Sequence, residues 1–274
     1  MRIVFMGTPD FAVPSLQALI DAGHEVCAVY TQPDKPQGRK QVLTPPPVKT
    51  LAQEHNIPVY QPLSFKDEDA QAQLRALAPE VIIVVAYGKL LPNAVLDIPP
   101  RGCINVHGSL LPRWRGAAPI QWSVIAGDKK AGVTTMQMAE GRDTGDLLLT
   151  YETEVGARET AGELFDRLAQ AGAELLVRTL VELDSITPTP QDDSQSCYAH
   201  MLDKQMAVID WTKSAHEIDC LIRGLNPWPV ALTTLDGARL KVYAAQPVDG
   251  KGKPGEVLVS DAKKGLVVAC GAGA

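Results

Sequence analysis

The sequence predicts an α/β protein with a Rossmann-like, doubly wound sheet and a small C-terminal β-barrel. Three observations support this fold class. Strand-like and helix-like segments alternate through residues 1–183, which is the order of elements in a largely parallel sheet. Residues 81–86 form a continuous apolar run, as expected for a strand that is buried on both faces. Beyond residue 205 the strand patterns are short and are separated by Gly and Pro, which indicates a barrel.

Hydrophobic periodicity, together with the Gly and Pro residues that interrupt it, places the individual elements. In the first part of the chain, strands are predicted at residues 2–6, 25–30, 59–60, 81–86, 104–107 and 133–138, and helices at residues 13–22, 48–55, 67–78, 117–126 and 161–183. In the last part, a helix is predicted at residues 214–222 and strands at residues 230–235, 239–244, 256–259 and 266–270. The Thr- and Pro-rich segment 187–194 between these two parts predicts a linker.

The domain organisation follows from this order of elements. We expect a first domain at residues 1–186, a linker at residues 187–205 and a second domain at residues 206–274. The second domain shows four strand patterns, whereas an OB-type barrel has five strands. The barrel is therefore expected to be incomplete, with the chain stopping inside it.

The composition argues against several classes of protein. The chain has 274 residues, of which 45% are hydrophobic and 21% are charged, as in ordinary globular domains. Its 5 Cys residues form no C-x-x-C pair and its His residues number only 5, which argues against a disulfide framework and a structural zinc site. The first strand begins at residue 2 and leaves no room for a signal peptide. No apolar run approaches the roughly 20 residues that span a bilayer, so a cytoplasmic protein without a membrane partner is expected.

Charge is distributed unevenly along the chain, whose net charge is −6. Residues 1–203 contain 17 Lys+Arg and 25 Asp+Glu, which gives −8, whereas residues 204–274 contain 9 and 7, which gives +2. A nucleic-acid partner is therefore compatible with local basic patches, and not with the electrostatic field of the whole molecule.

The turn after the first predicted strand argues against a dinucleotide cofactor. Gly7 is followed by Thr8 and Pro9, so the turn lacks the repeated glycines of G-x-G-x-x-G, which let the backbone approach a pyrophosphate. A tight turn that begins the first helix explains these residues.

Asn105 and His107 lie at the end of a predicted strand and are the first candidates for chemistry. Side chains in a strand alternate between its faces, so both project to the same side. An imidazole exchanges protons near neutral pH, and an amide donates to a developing oxyanion. The pair therefore suits a reaction at a carbonyl group, although an isolated N-x-H is more often a pair of ordinary polar residues.

A glycine-bracketed loop that follows the strand at 133–138 offers a carboxylate as a third member of this set. Asp143 and Asp146 both qualify, and we prefer Asp143 because it lies between Gly141 and Gly145. A carboxylate near an imidazole favours its protonated form. Because the sheet is predicted to be largely parallel, we expect this loop to meet Asn105 and His107 at the carboxyl edge of the sheet, together with the turns after residues 6 and 86.

The segment 31–49 is a further candidate because it contains four basic residues and five prolines without a helix or strand pattern. Loops of this length without secondary structure are uncommon unless they have a function. Its basic side chains are suited to contacts with phosphates.

Several segments closely resemble the methionyl-tRNA formyltransferase family, and the resemblance covers nearly the whole chain. The most specific match is N-V-H-G-S-L-L-P-R-W-R-G-A-A-P-I-Q at residues 105–121. The other matches are F-M-G-T-P-D-F at 5–11, T-Q-P-D at 31–34, V-V-A-Y-G at 84–88, D-T-G-D at 143–146, I-D-W at 209–211 and N-P-W-P at 226–229. The resemblance implies a Rossmann-like formyltransferase domain and a C-terminal OB-like, tRNA-binding barrel. It also implies transfer of a formyl group from 10-formyltetrahydrofolate to the α-amino group of methionine on initiator methionyl-tRNA, by a cytoplasmic monomer that uses no metal.

The same resemblance assigns roles to individual residues. It implies that Asn105 and protonated His107 stabilise an oxyanion and that Asp143 assists as base or electrostatic partner. The implied folate-binding residues are Ser109, Leu110, Leu111, Pro112, Tyr87 and Gly88, with residues 138–145 as a further wall of the pterin pocket. The implied tRNA-binding residues are Arg39, Lys40 and Lys49, in a loop that inserts at the acceptor end of the tRNA. Arg142 departs from the family pattern, which has an apolar residue there, and Lys40-Gln41-Val42 replaces a run richer in Gly and Lys.

Three other functions are open to a chain of this pattern. An amino sugar nucleotide formyltransferase that uses 10-formyltetrahydrofolate shares the N-x-H-x-S-L-L-P core, but the segments 33–49 and 226–229 favour the tRNA enzyme. A glycinamide ribonucleotide formyltransferase has no need of residues 206–274. A non-catalytic nucleotide- or RNA-binding protein is disfavoured by the −8 charge of residues 1–203 and by the missing glycine fingerprint.

Overall fold

The computed structural model describes residues 1–38, 40–263 and 265–274. Within these residues the strands are β1 Arg2–Gly7, β2 Glu25–Tyr30, β3 Lys35–Gln37, β4 Val42–Thr44, β5 Val59–Tyr60, β6 Val81–Val85, β7 Cys103–His107, β8 Arg115–Gly116, β9 Lys130–Gln137, β10 Leu147–Glu154, β11 Tyr198–Ala199, β12 Ala231–Leu235, β13 Ala238–Val242, β14 Val257–Asp261 and β15 Gly265–Val268. The α-helices are α1 Val13–Asp21, α2 Pro47–Glu54, α3 Glu68–Ala76, α4 Asn93–Leu96, α5 Pro119–Ile125, α6 Ala161–Glu182 and α7 Ala215–Gly224.

The chain forms two compact units. The first comprises Met1–Arg115, Gly132–Glu152 and Asp166–Cys197, and the second comprises Gly116–Ala131, Thr153–Phe165 and Tyr198–Ala274. Each unit has a hydrophobic core of its own. The stretch predicted as a linker therefore begins within the first unit, which includes residues 187–197.

A seven-stranded sheet in the order β10-β9-β7-β6-β1-β2-β5 forms the centre of the first unit. β1 pairs in parallel with β2 and β6, β2 with β5, and β6 with β7. Along the chain, β2 and β5 are added on one side of β1, and β6 and β7 are then added on its other side. This reversal of strand order is typical of doubly wound sheets. The predicted α/β fold class is confirmed.

The buried strands explain why this sheet forms. All five residues of β6 are buried, as are five of the six residues of β1. On one face, Met6, Tyr30, Ile82 and Leu74 pack together in a continuous cluster. Since burial of one such aliphatic side chain stabilises the fold by about 1.5–3 kcal/mol, this cluster is a main source of stability in the first unit.

The direction of β9 differs from the prediction. β9 runs antiparallel to β7, with Ile104 opposite Gln137 and His107 opposite Thr134. The loop after β9 therefore starts at the amino end of β7, where the Met138 N–H donates to the Cys103 carbonyl at 2.7 Å. The predicted reason for its approach to His107, a shared carboxyl edge, is wrong. Periodicity predicts that a segment is a strand, but strand direction depends on long-range pairing.

The segment 31–49 also differs from the prediction of a loop without secondary structure. Its middle forms a short antiparallel hairpin of β3 and β4, in which Lys35 lies opposite Thr44 and Gln37 opposite Val42. Pro36 fits this hairpin because a short strand at an edge does not require every backbone N–H for pairing. The three-residue strands are too short to show an alternating pattern in the sequence.

The second unit combines α7 with short antiparallel strands. β12 pairs with β13, and β14 pairs with β15, within the predicted, mostly β C-terminal domain. Ile218 and Ile222 on one face of α7 pack against Ala231 and Cys270. α7 begins with a capping box, in which the Ser214 hydroxyl accepts from the Glu217 N–H and the Glu217 carboxylate accepts from the Ser214 N–H. Over both units, none of the helices in the described part of the chain has the length and apolar character needed to cross a membrane.

Candidate active site

Asn105 and His107 project from the same face of β7, and both are largely buried. Asn105 is 8% exposed and His107 is 6% exposed. On the opposite face, Val106 faces α6, and a Cβ at Gly172 of that helix would lie 3.2 Å from the Val106 side chain. Because α6 covers that face closely, the strand holds the amide and the imidazole on the other face at a fixed spacing.

The imidazole of His107 lies between two oxygen atoms from different loops. Its Nε2 atom is 2.8 Å from the Trp114 carbonyl, and its Nδ1 atom is 3.7 Å from the Asp143 carboxylate. Both ring nitrogens face acceptors, so the doubly protonated ring has an oxygen partner on each side. When protonated, the ring donates a hydrogen bond from Nε2 to the Trp114 carbonyl and forms an ion pair with Asp143.

The loop 138–146 brings Asp143 to His107 by folding back along the sheet from the amino end of β7. Asp143 adopts φ 56, a left-handed conformation that is uncommon for residues other than Gly. Gly145 permits the close return of the loop, since a Cβ there would lie 1.7 Å from the Gln137 carbonyl oxygen. Of the two predicted carboxylates, the structure places Asp143 beside His107, whereas Asp146 is exposed.

The segment 109–112 is a tightly pinned turn. The Ser109 hydroxyl donates to the Arg113 carbonyl at 2.7 Å, so this hydroxyl holds the turn closed. The buried Thr134 hydroxyl donates to the Ser109 carbonyl at 2.7 Å and accepts from the Leu111 N–H at 3.3 Å. Leu110 packs against the backbone of β9, Leu111 is buried and Pro112 is half-buried. These contacts give a rigid apolar turn directly after His107.

Tyr87 and Gly88 lie at the carboxyl end of β6. The Tyr87 ring is buried in the hydrophobic core beside Phe65, so it does not form the wall of an open pocket. Its carbonyl faces the sheet edge and accepts from the Thr8 hydroxyl and the Gln32 amide, both at 3.1 Å. Burial raises the pKa of the Tyr87 hydroxyl and keeps it neutral. Gly88, with φ 80, is exposed.

An open cavity of about 730 Å³ lies beside the start of the loop 138–146. Its lining includes Leu96, Asp97, Arg101, Met138, Ala139 and Glu140. The volume falls in the range of small-molecule sites, and the lining combines apolar side chains with charges of both signs. This cavity, which we call the 137–140 cavity, lies at the amino end of β7, and its lining includes neither Asn105, His107 and Asp143 nor the segment 109–112.

The three predicted tRNA-binding residues have different surroundings. Arg39 lies outside the described residues. Lys40 is exposed at the tip of the β3–β4 hairpin. The ammonium of Lys49 lies 2.8 Å from each carboxylate oxygen of Asp34 and 3.1 Å from the Gln61 amide oxygen. Lys49 therefore anchors the base of the hairpin, and its contact with the tRNA stays a prediction.

Sequence reasoning missed two parts of this site. The Trp114 carbonyl faces His107, and since it is a backbone group no residue-type pattern marks it. Asp34 and Gln61 both bind Lys49. In the sequence, this contact is indicated only by the opposite charges of Asp34 and Lys49 on either side of the hairpin. Within the described residues, no group of three or more His, Cys, Asp or Glu side chains is arranged to hold a metal ion.

Sequence comparison finds relatives along the whole chain. The profile of the formyl transferase family matches residues 1–180, and that of the formyl transferase C-terminal domain matches residues 201–274. A methionyl-tRNA formyltransferase of Stutzerimonas stutzeri A1501 is 55% identical over 277 residues, which cover 100% of this chain and 88% of the relative. A methionyl-tRNA formyltransferase of Pseudomonas fluorescens SBW25 is 53% identical, with 99% of this chain and 86% of the relative covered.

Structural comparison finds the same architecture in more distant proteins. HypX from Aquifex aeolicus, solved in complex with tetrahydrofolic acid, matches 99% of this chain and 42% of its own length, with a TM-score of 0.68 and 18% identity. A 4-N formyltransferase from Francisella tularensis matches 89% of this chain and 97% of its own length, with a TM-score of 0.68 and 19% identity. At these identities the comparison supports the fold and not the substrate.

Proposed function

The chain belongs to the formyl transferase family, and from that membership we propose that it transfers the formyl group of 10-formyltetrahydrofolate to the α-amino group of methionine on initiator methionyl-tRNA. The observation that carries the proposal is the grouping of Asn105, His107 and Asp143 at one end of β7. Relatives that are 55% identical over the whole chain and are named methionyl-tRNA formyltransferase support this choice of acceptor.

The proposed reaction uses Asn105 and His107 as donors to an oxyanion. As the neutral amine of methionine bonds to the formyl carbon, the carbonyl electron pair moves to the formyl oxygen. The Asn105 amide and the His107 imidazolium stabilise that negative charge. Because His107 Nε2 lies 2.8 Å from the Trp114 carbonyl, the formyl oxygen has to share or replace this acceptor. The electrons then return, the bond from carbon to the folate nitrogen breaks, and the proton lost by the amine is balanced by one gained at that nitrogen.

Asp143 acts on this reaction through His107. Its carboxylate lies 3.7 Å from Nδ1, where it balances the charge of the imidazolium that donates to the oxyanion. The low exposure of His107 excludes most water from the ring, and hydrogen bonds to developing charge are stronger where water is excluded.

One feature of the chain fits the folate cosubstrate. The half-buried side chains of Leu110 and Pro112 lie in the pinned turn 109–112, directly after His107. We propose that Leu110, Leu111 and Pro112 pack against the folate and that residues 138–145 wall the pterin, with Gly88 and the Tyr87 carbonyl at the neighbouring strand end. The 137–140 cavity lies at the amino end of β7, away from His107, and is not assigned to the folate.

The remaining properties are proposed on the same basis. We propose a cytoplasmic monomer that uses no metal, with a catalytic domain at residues 1–186, a linker at 187–205 and a tRNA-binding domain at 206–274. The exposed Lys40 and the neighbouring Arg39 are proposed to contact the acceptor end of the tRNA. Size-exclusion chromatography with light scattering tests the monomer, and a dimer at assay concentrations contradicts it.

The experiment that tests the function offers the full chain different acceptors. Purified protein and 10-formyltetrahydrofolate are incubated with methionyl initiator tRNA, with methionyl elongator tRNA, or with an amino sugar nucleotide, and the His107→Ala variant is the control. We expect formylmethionine on the initiator tRNA, little product with the other acceptors and almost none with the variant. Formylation of the sugar alone, or of no acceptor, contradicts the proposal.

A further inference from the structure

Gln191 makes four hydrogen bonds that connect two loops of the candidate active site. Its side-chain NH₂ donates to the Asp143 carbonyl at 2.9 Å and to the Gly145 carbonyl at 2.7 Å. Its side-chain oxygen accepts from Nε of Arg115 at 3.1 Å and from Nη2 of the same guanidinium at 2.8 Å. The amide thus uses two donors and two acceptor positions, which is the full capacity of a Gln side chain.

The two loops that Gln191 joins are those that face His107. The carbonyls of Asp143 and Gly145 belong to the loop whose carboxylate faces Nδ1. Arg115 directly follows Trp114, whose carbonyl lies 2.8 Å from Nε2. The Arg115–Gln191 bridge therefore fixes both oxygen partners of the ring relative to each other, although neither residue touches His107 in these contacts.

The backbone conformation of the two loops explains why they need the support of this bridge. Asp143 has φ 56 and Trp114 has φ 62, and a residue other than Gly keeps this strained conformation only where its surroundings hold it there. Gln191 binds the carbonyl of Asp143 itself and the carbonyl two residues later. Its position is set by pairing of the backbone, since Thr189 and Leu147 exchange hydrogen bonds at 2.8 and 2.9 Å.

We propose that Gln191 is a positioning residue, which acts together with Arg115 to hold the Asp143 carboxylate and the Trp114 carbonyl against His107. This inference rests on the proposed formyl transfer and deepens it, because it places part of the segment between the two predicted domains in the active site. Gln191 supplies no proton and touches no reacting atom. Its effect is on the geometry of the donors, and a misplacement of about 1 Å at a catalytic group lowers a rate by up to about 100-fold.

The sharpest variant is Gln191→Glu, which keeps the shape of the side chain. Its carboxylate still accepts from Arg115, but it has no N–H for the carbonyls of Asp143 and Gly145 and repels them. The matched control is Asp193→Asn. Asp193 is exposed and accepts from the same guanidinium at 2.7 Å, so this change removes the outer partner of Arg115 and leaves the Gln191 bridge.

We expect Gln191→Glu to lower kcat by about 10- to 100-fold, with both KM values within about threefold of the parent values. Asp193→Asn is expected to stay within about twofold of the parent kcat, because exposed ion pairs contribute little. If Gln191→Glu does not fold, Gln191→Met provides a neutral side chain of similar length that makes none of the four bonds. Parent kcat in a folded Gln191 variant overturns the proposal.

A double-mutant cycle separates positioning from a general structural role. If Gln191 acts by holding Asp143, its substitution has little further effect on kcat once Asp143→Asn has removed the charge. We therefore expect the combined variant Gln191→Glu/Asp143→Asn to have a kcat within about threefold of Asp143→Asn alone. Full multiplication of the two losses shows that Gln191 does not act through Asp143 and overturns its proposed hold on that carboxylate.

Hydrogen exchange measured by mass spectrometry tests the bridge without any activity. We expect the amides of Gln137, Leu147 and Thr189, which donate backbone hydrogen bonds beside the bridged loop, to exchange at least about tenfold faster in Gln191→Glu than in the parent or Asp193→Asn, because local opening becomes easier. Unchanged exchange there contradicts the bridge. A parent protein that does not formylate methionyl-tRNA contradicts the proposed function instead, and the exchange experiment still reports on Gln191.

Discussion

At the scale of single residues, the candidate site depends on two strained positions. Asp143 with φ 56 and Trp114 with φ 62 provide the two oxygens that face the nitrogens of His107. Such positions cluster at functional sites because only a well-supported structure maintains them. Here the support consists of hydrogen bonds from Gln191 to the Asp143 loop and from Ser109 to the carbonyls of Arg113 and Trp114. The left-handed backbone conformations of Asp143 and Trp114 direct both oxygen acceptors toward the His107 ring.

Substitution of the two donors tests their assignment to the oxyanion. Because removal of one such donor typically lowers turnover by ~10²–10³-fold, Asn105→Ala and His107→Ala are each expected to lose at least that much kcat. Binding of the folate, measured by fluorescence titration, is expected to change little, since the proposed packing surface is the turn 109–112. Near-parent turnover in either variant contradicts the assignment.

At the scale of elements, a cluster of hydrogen bonds around Asp34 holds the base of the β3–β4 hairpin. Lys49 binds both carboxylate oxygens of Asp34, and the Gln61 amide donates to Asp34 and to the Gln32 carbonyl at 2.8 Å each. A two-residue or three-residue strand pair is not stable alone. The hairpin that carries Lys40 therefore depends on this contact for its orientation.

The Asp34–Lys49 contact is expected to weaken at acidic pH. The Lys49 ammonium, and next the Gln61 amide, lower the pKa of Asp34 below its ordinary value. The stabilisation is therefore fully present above the ordinary carboxyl pKa and is lost as pH falls through the lowered folded-state value. Asp34→Asn should lower the thermal midpoint at pH 7, and its difference from the parent should shrink at pH 3. Asp166→Asn, at an exposed position, is the control, and a difference independent of pH contradicts the prediction.

Helix α7 offers a test of local stability in the second unit. The Ser214 hydroxyl accepts from the Glu217 N–H at 3.2 Å, and loss of such an N-cap costs about 1 kcal/mol. Ser214→Ala is expected to lower the free energy of unfolding in urea by that amount, whereas the exposed strand position Ser260→Ala should not. Equal effects of the two changes contradict the role of the capping box.

At the scale of the whole molecule, net charge and its distribution limit how a nucleic acid is bound. The chain carries −6 overall, with −8 on residues 1–203 and +2 on residues 204–274. A polyanion is repelled by the total charge and attracted only by local groups. Binding of the proposed tRNA substrate should therefore depend on few phosphate contacts.

The salt dependence of KM for methionyl-tRNA tests how many phosphates the protein contacts. Each phosphate contact contributes about −0.7 to −0.9 to the slope of log affinity against log salt, so we expect a slope of about −2 to −3 when log(1/KM) of methionyl-tRNA is plotted against log salt. Lys40→Ala should make the slope shallower by about 1. Lys66→Ala, an exposed lysine outside the segment 31–49, should leave it unchanged. Equal effects of the two variants contradict a phosphate contact at Lys40.

Local patterns in the sequence were enough to predict the fold class and the central pair of candidate residues. Apolar runs such as residues 81–85 form buried strands because of their local composition. Asn105 and His107 share a face because alternation in a strand is a local property. The motif around them was sufficient to indicate the family and the chemistry.

The partners of this pair could not be predicted in the same way, because they come from distant parts of the chain. The antiparallel direction of β9, the return of the loop that places Asp143 beside His107, and the anchoring of Lys49 by Asp34 all depend on contacts between distant segments. Gln191 is the clearest case, since it lies 46 and 48 residues from the carbonyls that it binds. Local propensity carries no information about such contacts, because they arise from long-range backbone pairing and from the packing of loops against the sheet.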